Sequence, residues 1–144
     1  AQYDNPKLNV RDWTGRNPLR VLIDKKLELN NTLYLFDRSQ ATVCYNVLKS
    51  GGDEGLQFVR LEEHDFLKNL VTDLYKKKTQ SLIVEGGAQT LQGFIDAELW
   101  DEIRVFESSK TFEKGIAAPR FRGKLIGQNR LQTDSLKIYW PDPS

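Results

Sequence analysis

Sulfur is nearly absent from this chain, which has one cysteine, Cys44, and no methionine. A single cysteine cannot close an internal disulfide, so the cytoplasm is the default compartment. Histidine is as scarce, with His64 alone. No His/Cys cluster therefore has metal-ligand spacing, and no metal is expected. His64 also has no matching serine or cysteine nucleophile nearby in sequence, which leaves nucleophilic catalysis without a candidate pair. Long apolar runs are missing too. None approaches the roughly 18 residues needed to span a bilayer, so no membrane association is expected. The opening residues, AQYDNPKLNVRDW, are polar and lack the apolar centre of a secretory leader. Finally, neither sign of charge is in excess: 21 Lys and Arg face 20 Asp and Glu, for a net charge of +1. A nucleic-acid binder carries a clustered basic excess. Nucleic acid is excluded as a partner.

What remains is a chain of 144 residues, 39% hydrophobic and 28% charged, enough for one domain with a buried core. Residues 19–24 (LRVLID) are apolar, β-branched and bounded by Asn17-Pro18, the pattern of a buried strand. Residues 33–36 (LYLF) form a second apolar run after the Asn30-Asn31 turn signal, and 42–46 (TVCYN) a third. Residues 49–55 (KSGGDEG) read as a loop, and 56–61 (LQFVRL) as another strand. A helix follows, because Phe66, Leu67, Leu70, Val71, Leu74 and Tyr75 recur as pairs every four residues. Glu62, Glu63 and Asp65 precede it and Lys76 to Lys78 close it, which suits the macrodipole at both ends. Residues 81–84 (SLIV) read as a short, wholly apolar strand, 88–97 as a second helix, and 103–106 as a strand. Residues 124–132 and 135–140 read as a terminal hairpin around Thr133-Asp134. Strand, helix, strand, helix, strand implies parallel pairing through crossover helices, and the hairpin adds antiparallel strands. The fold class is α/β with a mixed, mostly parallel sheet.

The sharpest local feature is residues 82–94, LIVEGGAQTLQGF, in which an apolar segment runs into two glycines and then a helix. Gly86 and Gly87 can take positive φ and admit a close backbone or ligand. The free N–H groups at the helix start suit an anion such as a phosphate. Glu85 stands where open α/β sheets bind ligands, beyond the carboxyl end of a strand. The three-glycine dinucleotide fingerprint is absent. Gly51-Gly52-Asp53-Glu54 is similar to the signature turn of nucleotide cyclases. It is followed by Gly55 rather than an aromatic residue and lacks the surrounding domain, so that reading is set aside.

The Val84-Glu85-Gly86-Gly87 turn, followed by a small residue and an apolar helix, resembles the reductase domain of the bacterial bifunctional riboflavin-biosynthesis deaminase/reductase. Three further blocks agree, in the family's order. Residues 4–11 (DNPKLNVR) resemble its Asp-x-Pro-x-Leu-x-x-Arg loop, and residues 17–24 (NPLRVLID) the strand that follows. Residues 98–106 (ELWDEIRVF) resemble its helix-to-strand segment. The resemblance covers essentially the whole chain.

It implies a dihydrofolate-reductase-like fold and hydride transfer from NADPH to the ribosylamino group of a phosphorylated aminopyrimidine, giving the ribitylamino product. By position, Leu8, Arg11 and Glu85 correspond to substrate contacts. Asp4 and the run Gly87, Ala88, Gln89, Thr90, Leu91, Gln92 and Gly93 correspond to cofactor contacts. Arg11 can offer a bidentate fork to the substrate phosphate, Glu85 can accept from ribose hydroxyls or ring N–H groups, and the helix start can receive the NADPH pyrophosphate. Lys25, just past the strand ending at Asp24, is a candidate for the 2′-phosphate. The cofactor supplies the hard chemistry, so no nucleophile is required.

The family's deaminase domain carries H-x-E and P-C-x-x-C motifs; neither occurs here, and residues 1–144 read as a single reductase domain. The family's reductase domain opens with a strand and helix that precede the Asp-x-Pro loop. On this reading those elements are missing, the uncovered sheet edges pair with other chains, and a homo-oligomer, a dimer, is expected. Two other functions compete: another pterin or folate reductase of the same fold, and an inactive truncated fragment that binds NADPH. The Asp-x-Pro-x-Leu-x-x-Arg loop favours the first reading over a pterin reductase, which needs no arginine for a substrate phosphate.

Overall fold

A computed structural model describes residues 3–110 and 114–142. The chain divides into two compact units, Ala1–Gln80 and Ser81–Ser144. No helix among the described residues is long and apolar enough to cross a membrane.

The N-terminal unit holds β1 (Arg20–Ile23), a 3-10 turn (Tyr34–Phe36), β2 (Thr42–Asn46), β3 (Gly51–Gly52), β4 (Leu56–Arg60) and α1 (Phe66–Lys76). Its sheet runs β1-β2-β4-β3. Strand β2 pairs in parallel with β1 (Leu22 opposite Cys44) and with β4 (Cys44 opposite Phe58), while β3 is antiparallel to β4. All five residues of β2 are buried, as a central strand covered on both faces should be. One face of the sheet carries Leu22 and Cys44, which form a core with Leu35; Leu8, Leu27, Leu29, Phe36 and Phe58 pack against it. Helix α1 buries Phe66, Leu70 and Leu74. Tyr75, read as part of that stripe, is 78% exposed because it lies one position beyond the buried row.

The C-terminal unit holds α2 (Ala88–Asp96), β5 (Ile103–Glu107), β6 (Lys124–Leu131) and β7 (Asp134–Trp140). Its sheet runs β5-β7-β6 and is antiparallel throughout. Phe121 meets Trp100 and Tyr139 edge-on, at 6.2 and 5.0 Å between ring centres. The β6–β7 turn is Gln132-Thr133, one residue earlier than expected, with Gln132 at φ 55° between the closing pair Leu131 and Asp134.

The class is therefore mixed α/β, with parallel and antiparallel pairs, helices and a C-terminal antiparallel sheet. The parallel pairing runs through β1, β2 and β4, not through residues 81–84. That apolar segment enters no ladder among the described residues. Apolarity marks a segment for burial, but a strand also needs a partner offering a row of N–H and C=O groups. Residues 33–36 are likewise not a strand. The Asn30 carboxamide accepts the Thr32 N–H, and Phe36 N–H bonds back to the Leu33 carbonyl, so the run closes on itself as a 3-10 turn. Within the expected 49–55 loop, Gly51 and Gly52 form the short strand β3 at φ 144° and 106°. A Cβ on Gly52 would lie 2.1 Å from the Leu56 carbonyl oxygen, so only glycine fits. Asp53 then accepts the N–H groups of Gly55 and Leu56, which accounts for the Gly-Gly-Asp-Glu turn structurally.

Candidate substrate and cofactor site

The N-terminal unit carries Asp4, Leu8, Arg11 and Lys25. Leu8 has φ 47°, a left-handed backbone rare for a leucine. Its side chain is half-buried against the Leu22–Leu35–Cys44 core, and its carbonyl accepts from Gln40 Nε2 at 2.9 Å. Ahead of it, the Asn5 carboxamide accepts the Tyr34 N–H at 2.8 Å, and the Lys7 ammonium sits 4.6 Å over the Tyr34 ring. The loop is thus moored to the 3-10 turn while leaving its charged members outward. Asp4 and Arg11 are both exposed, and among the described residues neither side chain forms an ion pair. A salt bridge between those two is not what shapes the loop.

Lys25 follows β1 directly. Its carbonyl accepts the Val47 N–H at 3.0 Å, and its ammonium lies 4.9 Å from the centre of the Phe66 ring. Beside it, buried Asp24 accepts the N–H groups of Glu28 and Leu29, at 3.0 Å each, and so shapes the chain leaving the strand.

Two residues of this unit carry no sign of their role in the motifs. Arg20, 1% exposed, donates to Thr42 Oγ1, the Tyr34 and Gln40 carbonyls and Asp37 Oδ1, at 2.6–2.9 Å. The Arg20 hydrogen bond, with help from Ser39, holds the Asp37 carboxyl down at about 2. A charged residue inside an apolar strand is the only sequence signal for this hub. Gln40 has none at all.

The C-terminal unit carries Glu85 and residues 87–93. Gly86 and Gly87 both avoid the left-handed region, contrary to the expectation that the turn exploits it; Gly87 has φ −60° and ψ 167° as the N-cap of α2. They differ in what surrounds them. A Cβ on Gly86 would lie 2.9 Å from the Thr90 Cβ, whereas one on Gly87 would meet nothing within 4 Å. Gly87 carbonyl accepts the N–H groups of Thr90 and Leu91, at 2.9 and 3.1 Å. No side chain caps the helix, so the Ala88 and Gln89 N–H groups have no acceptor among the described residues. Uncapped amides beside open space at Gly87 fit an anionic group. Further along, Gln92 is engaged elsewhere: its amide donates to Asp96 and to the Arg120 carbonyl, and accepts the Arg120 N–H. Leu91 and Gly93 are half-buried on the same helix. Glu85 is exposed.

The RibD C-terminal domain family matches residues 1–138. Among curated proteins, the riboflavin biosynthesis protein RibD of Aquifex aeolicus is 28% identical over 121 residues, covering 79% of this chain and 34% of that protein. The 2,5-diamino-6-ribosylamino-4(3H)-pyrimidinone 5′-phosphate reductase of the same organism is 29% identical over 115 residues, covering 73% of this chain and 51% of that protein. The chain therefore spans about a third to a half of the length of these relatives. Among solved structures, the diaminohydroxyphosphoribosylaminopyrimidine deaminase/5-amino-6-(5-phosphoribosylamino)uracil reductase of Thermotoga maritima superposes with a TM-score of 0.82 at 23% identity, covering 96% of this chain and 42% of that one. The Saccharomyces riboflavin biosynthesis reductase Rib7 gives 0.68 at 13% identity, covering 88% and 71%.

Proposed function

The chain belongs to the RibD C-terminal domain family, and from that premise we propose that it reduces 5-amino-6-(5-phosphoribosylamino)uracil to its ribitylamino product with NADPH, in riboflavin biosynthesis. The observation that carries this reading is the family match over residues 1–138, which includes both the Asp4–Arg11 loop and the Glu85–Gly93 turn and helix.

NADPH, when bound, supplies the hydride. The uncapped N–H groups of Ala88 and Gln89 hold its pyrophosphate, and the bare Cα of Gly87 lets the phosphate approach them. Lys25 is the candidate for the 2′-phosphate and, by correspondence with the family, Asp4 for a further cofactor contact. Arg11 takes the substrate phosphate through its planar fork, which no acidic side chain among the described residues occupies. By the same correspondence, Leu8 is a candidate for a further substrate contact, and so is Glu85, whose carboxylate can accept from ribose hydroxyls or ring N–H groups. The cytoplasm suits a protein whose one cysteine is free and buried. A homodimer is the assembly that fits exposed Ile83 and Phe106, which invite a second copy.

The experiment is steady-state NADPH oxidation with the phosphoribosylamino-pyrimidine as substrate. Turnover giving the ribitylamino product is expected. Turnover of a dihydropterin or dihydrofolate instead, with none of the pyrimidine, overturns the substrate assignment.

A further inference from the structure

We infer that Gln40 is the positioning residue for Arg11: its side-chain amide closes the neck of the loop that presents the guanidinium. The inference rests on the reading of Arg11 as the ligand of the substrate phosphate.

Residues 11–19 are all exposed, so packing does not hold Arg11 in place. Hydrogen bonds at the neck do. Gln40 Nε2 donates to the Leu8 carbonyl at 2.9 Å and to the Pro18 carbonyl at 3.0 Å. A carboxamide NH2 has two hydrogens, so one group serves both ends of the loop. Inside this closure the Val10 N–H donates to Asn17 Oδ1 at 3.0 Å, a second rung across the same neck. Leu8 sits in a left-handed conformation, which persists only where the surroundings over-determine it. The Gln40 bond to the Leu8 carbonyl is one such determinant, and packing of the Leu8 side chain on the core is the other.

Gln40 is itself fixed from below. Its carbonyl accepts from Arg20 Nη2 at 2.9 Å, and Arg20 is buried and bonded on every side. The path from the buried hub to the loop is therefore continuous: Arg20, Gln40, Leu8 and Pro18, then Arg11 between them. Arg20 secures the fold of residues 34–42, whereas Gln40 reaches out from it to the loop alone.

The test uses Gln40→Met, which keeps the length of the side chain and removes both donors, with Asn17→Ala as a second, exposed variant that removes the other rung. Limited trypsin digestion reads the loop directly, because Arg11 and Arg16 are its cleavage sites. Both variants should be cut faster there, with melts showing that the unit is still cooperatively folded. Binding is read by NMR titration with ribose 5-phosphate against ribose. The unsubstituted chain should prefer the phosphate, Gln40→Met should lose about tenfold of that preference, and Arg11→Ala should abolish it. In the Arg11→Ala background, Gln40→Met should have no further effect. Unchanged cleavage overturns the closure. Faster cleavage with an intact phosphate preference overturns the positioning role, as does an equal loss in both backgrounds. A phosphate preference that survives Arg11→Ala instead removes Arg11 as the phosphate ligand, and the cleavage rates still decide whether Gln40 closes the loop.

Discussion

The Tyr45 hydroxyl donates to Asp73 Oδ2 at 2.7 Å and joins the central strand β2 to helix α1. Tyr45 is wholly buried, and burial pushes its phenol well above the ordinary range. Burial acts to raise the Asp73 carboxyl too, but hydrogen bonds from Lys77 and Tyr45 outweigh it and hold the group below its ordinary value. Tyr45→Phe removes one donor from a partly buried carboxylate. Thermal melts should show a loss of about 1–2 kcal/mol, several degrees for a unit of this size. An unchanged melting temperature would mean that water replaces the hydroxyl without cost.

Asp37 makes the N-terminal unit acid-sensitive. Its carboxyl falls from an ordinary 3.8 to about 2, chiefly through the hydrogen bond from Arg20. A group depressed in the folded state stabilises the fold fully above its unfolded value and loses that contribution as pH falls. The window is therefore pH ~4 down to ~2. Urea midpoints across that window should fall more steeply for the unsubstituted chain than for Asp37→Asn. Parallel curves would remove Asp37 as a source of the acid sensitivity.

At the start of α2, the two glycines should behave differently. Gly87→Val places its side chain in open space, so the fold should survive while NADPH binding weakens more than tenfold, about 1.4 kcal/mol. Gly86→Val instead collides with Thr90 and should lower the melting temperature. Fluorescence titration with NADPH, beside melts of both variants, reads the two effects. Unaltered NADPH affinity in folded Gly87→Val would move the phosphate site away from this helix.

Arg11→Ala should raise the KM for the phosphorylated substrate strongly and leave NADPH affinity nearly intact. Arg11 is exposed and unpaired among the described residues, so its removal should not disturb folding. Steady-state kinetics in both substrates reads the split. Loss of cofactor binding alone would reverse the assignment.

Cys44 offers a probe of the core that needs no substitution. It is fully buried, and desolvation, with a contribution from the Asp24 charge, pushes its thiol up to about 12. At neutral pH, iodoacetamide should leave the folded chain unlabelled and label it stoichiometrically in denaturant. Rapid labelling of the native protein would show that the Leu22–Leu35–Cys44 core opens.

The elements that sequence made legible are those governed by neighbours along the chain. The four-residue recurrence of Phe66, Leu70 and Leu74 marks α1, the apolar runs mark β1 and β4, and the glycine pair before Ala88 marks the start of α2. The order of four motif blocks, from Asp4 to Phe106, was enough to identify the family. Pairing was a different matter. Residues 81–84 are as apolar as any strand, yet a ladder depends on groups elsewhere in the chain, and none pairs with them among the described residues. Nor does a Gly-Gly dipeptide say which glycine faces Thr90 and which faces open space; the path of the backbone decides that. Gln40 meets Leu8 and Pro18 across 32 and 22 residues, and Arg20 finds its four acceptors between positions 34 and 42. Hydrogen-bond partners so distant in sequence are chosen by the packed chain, because a buried donor bonds whichever acceptor the fold brings within reach.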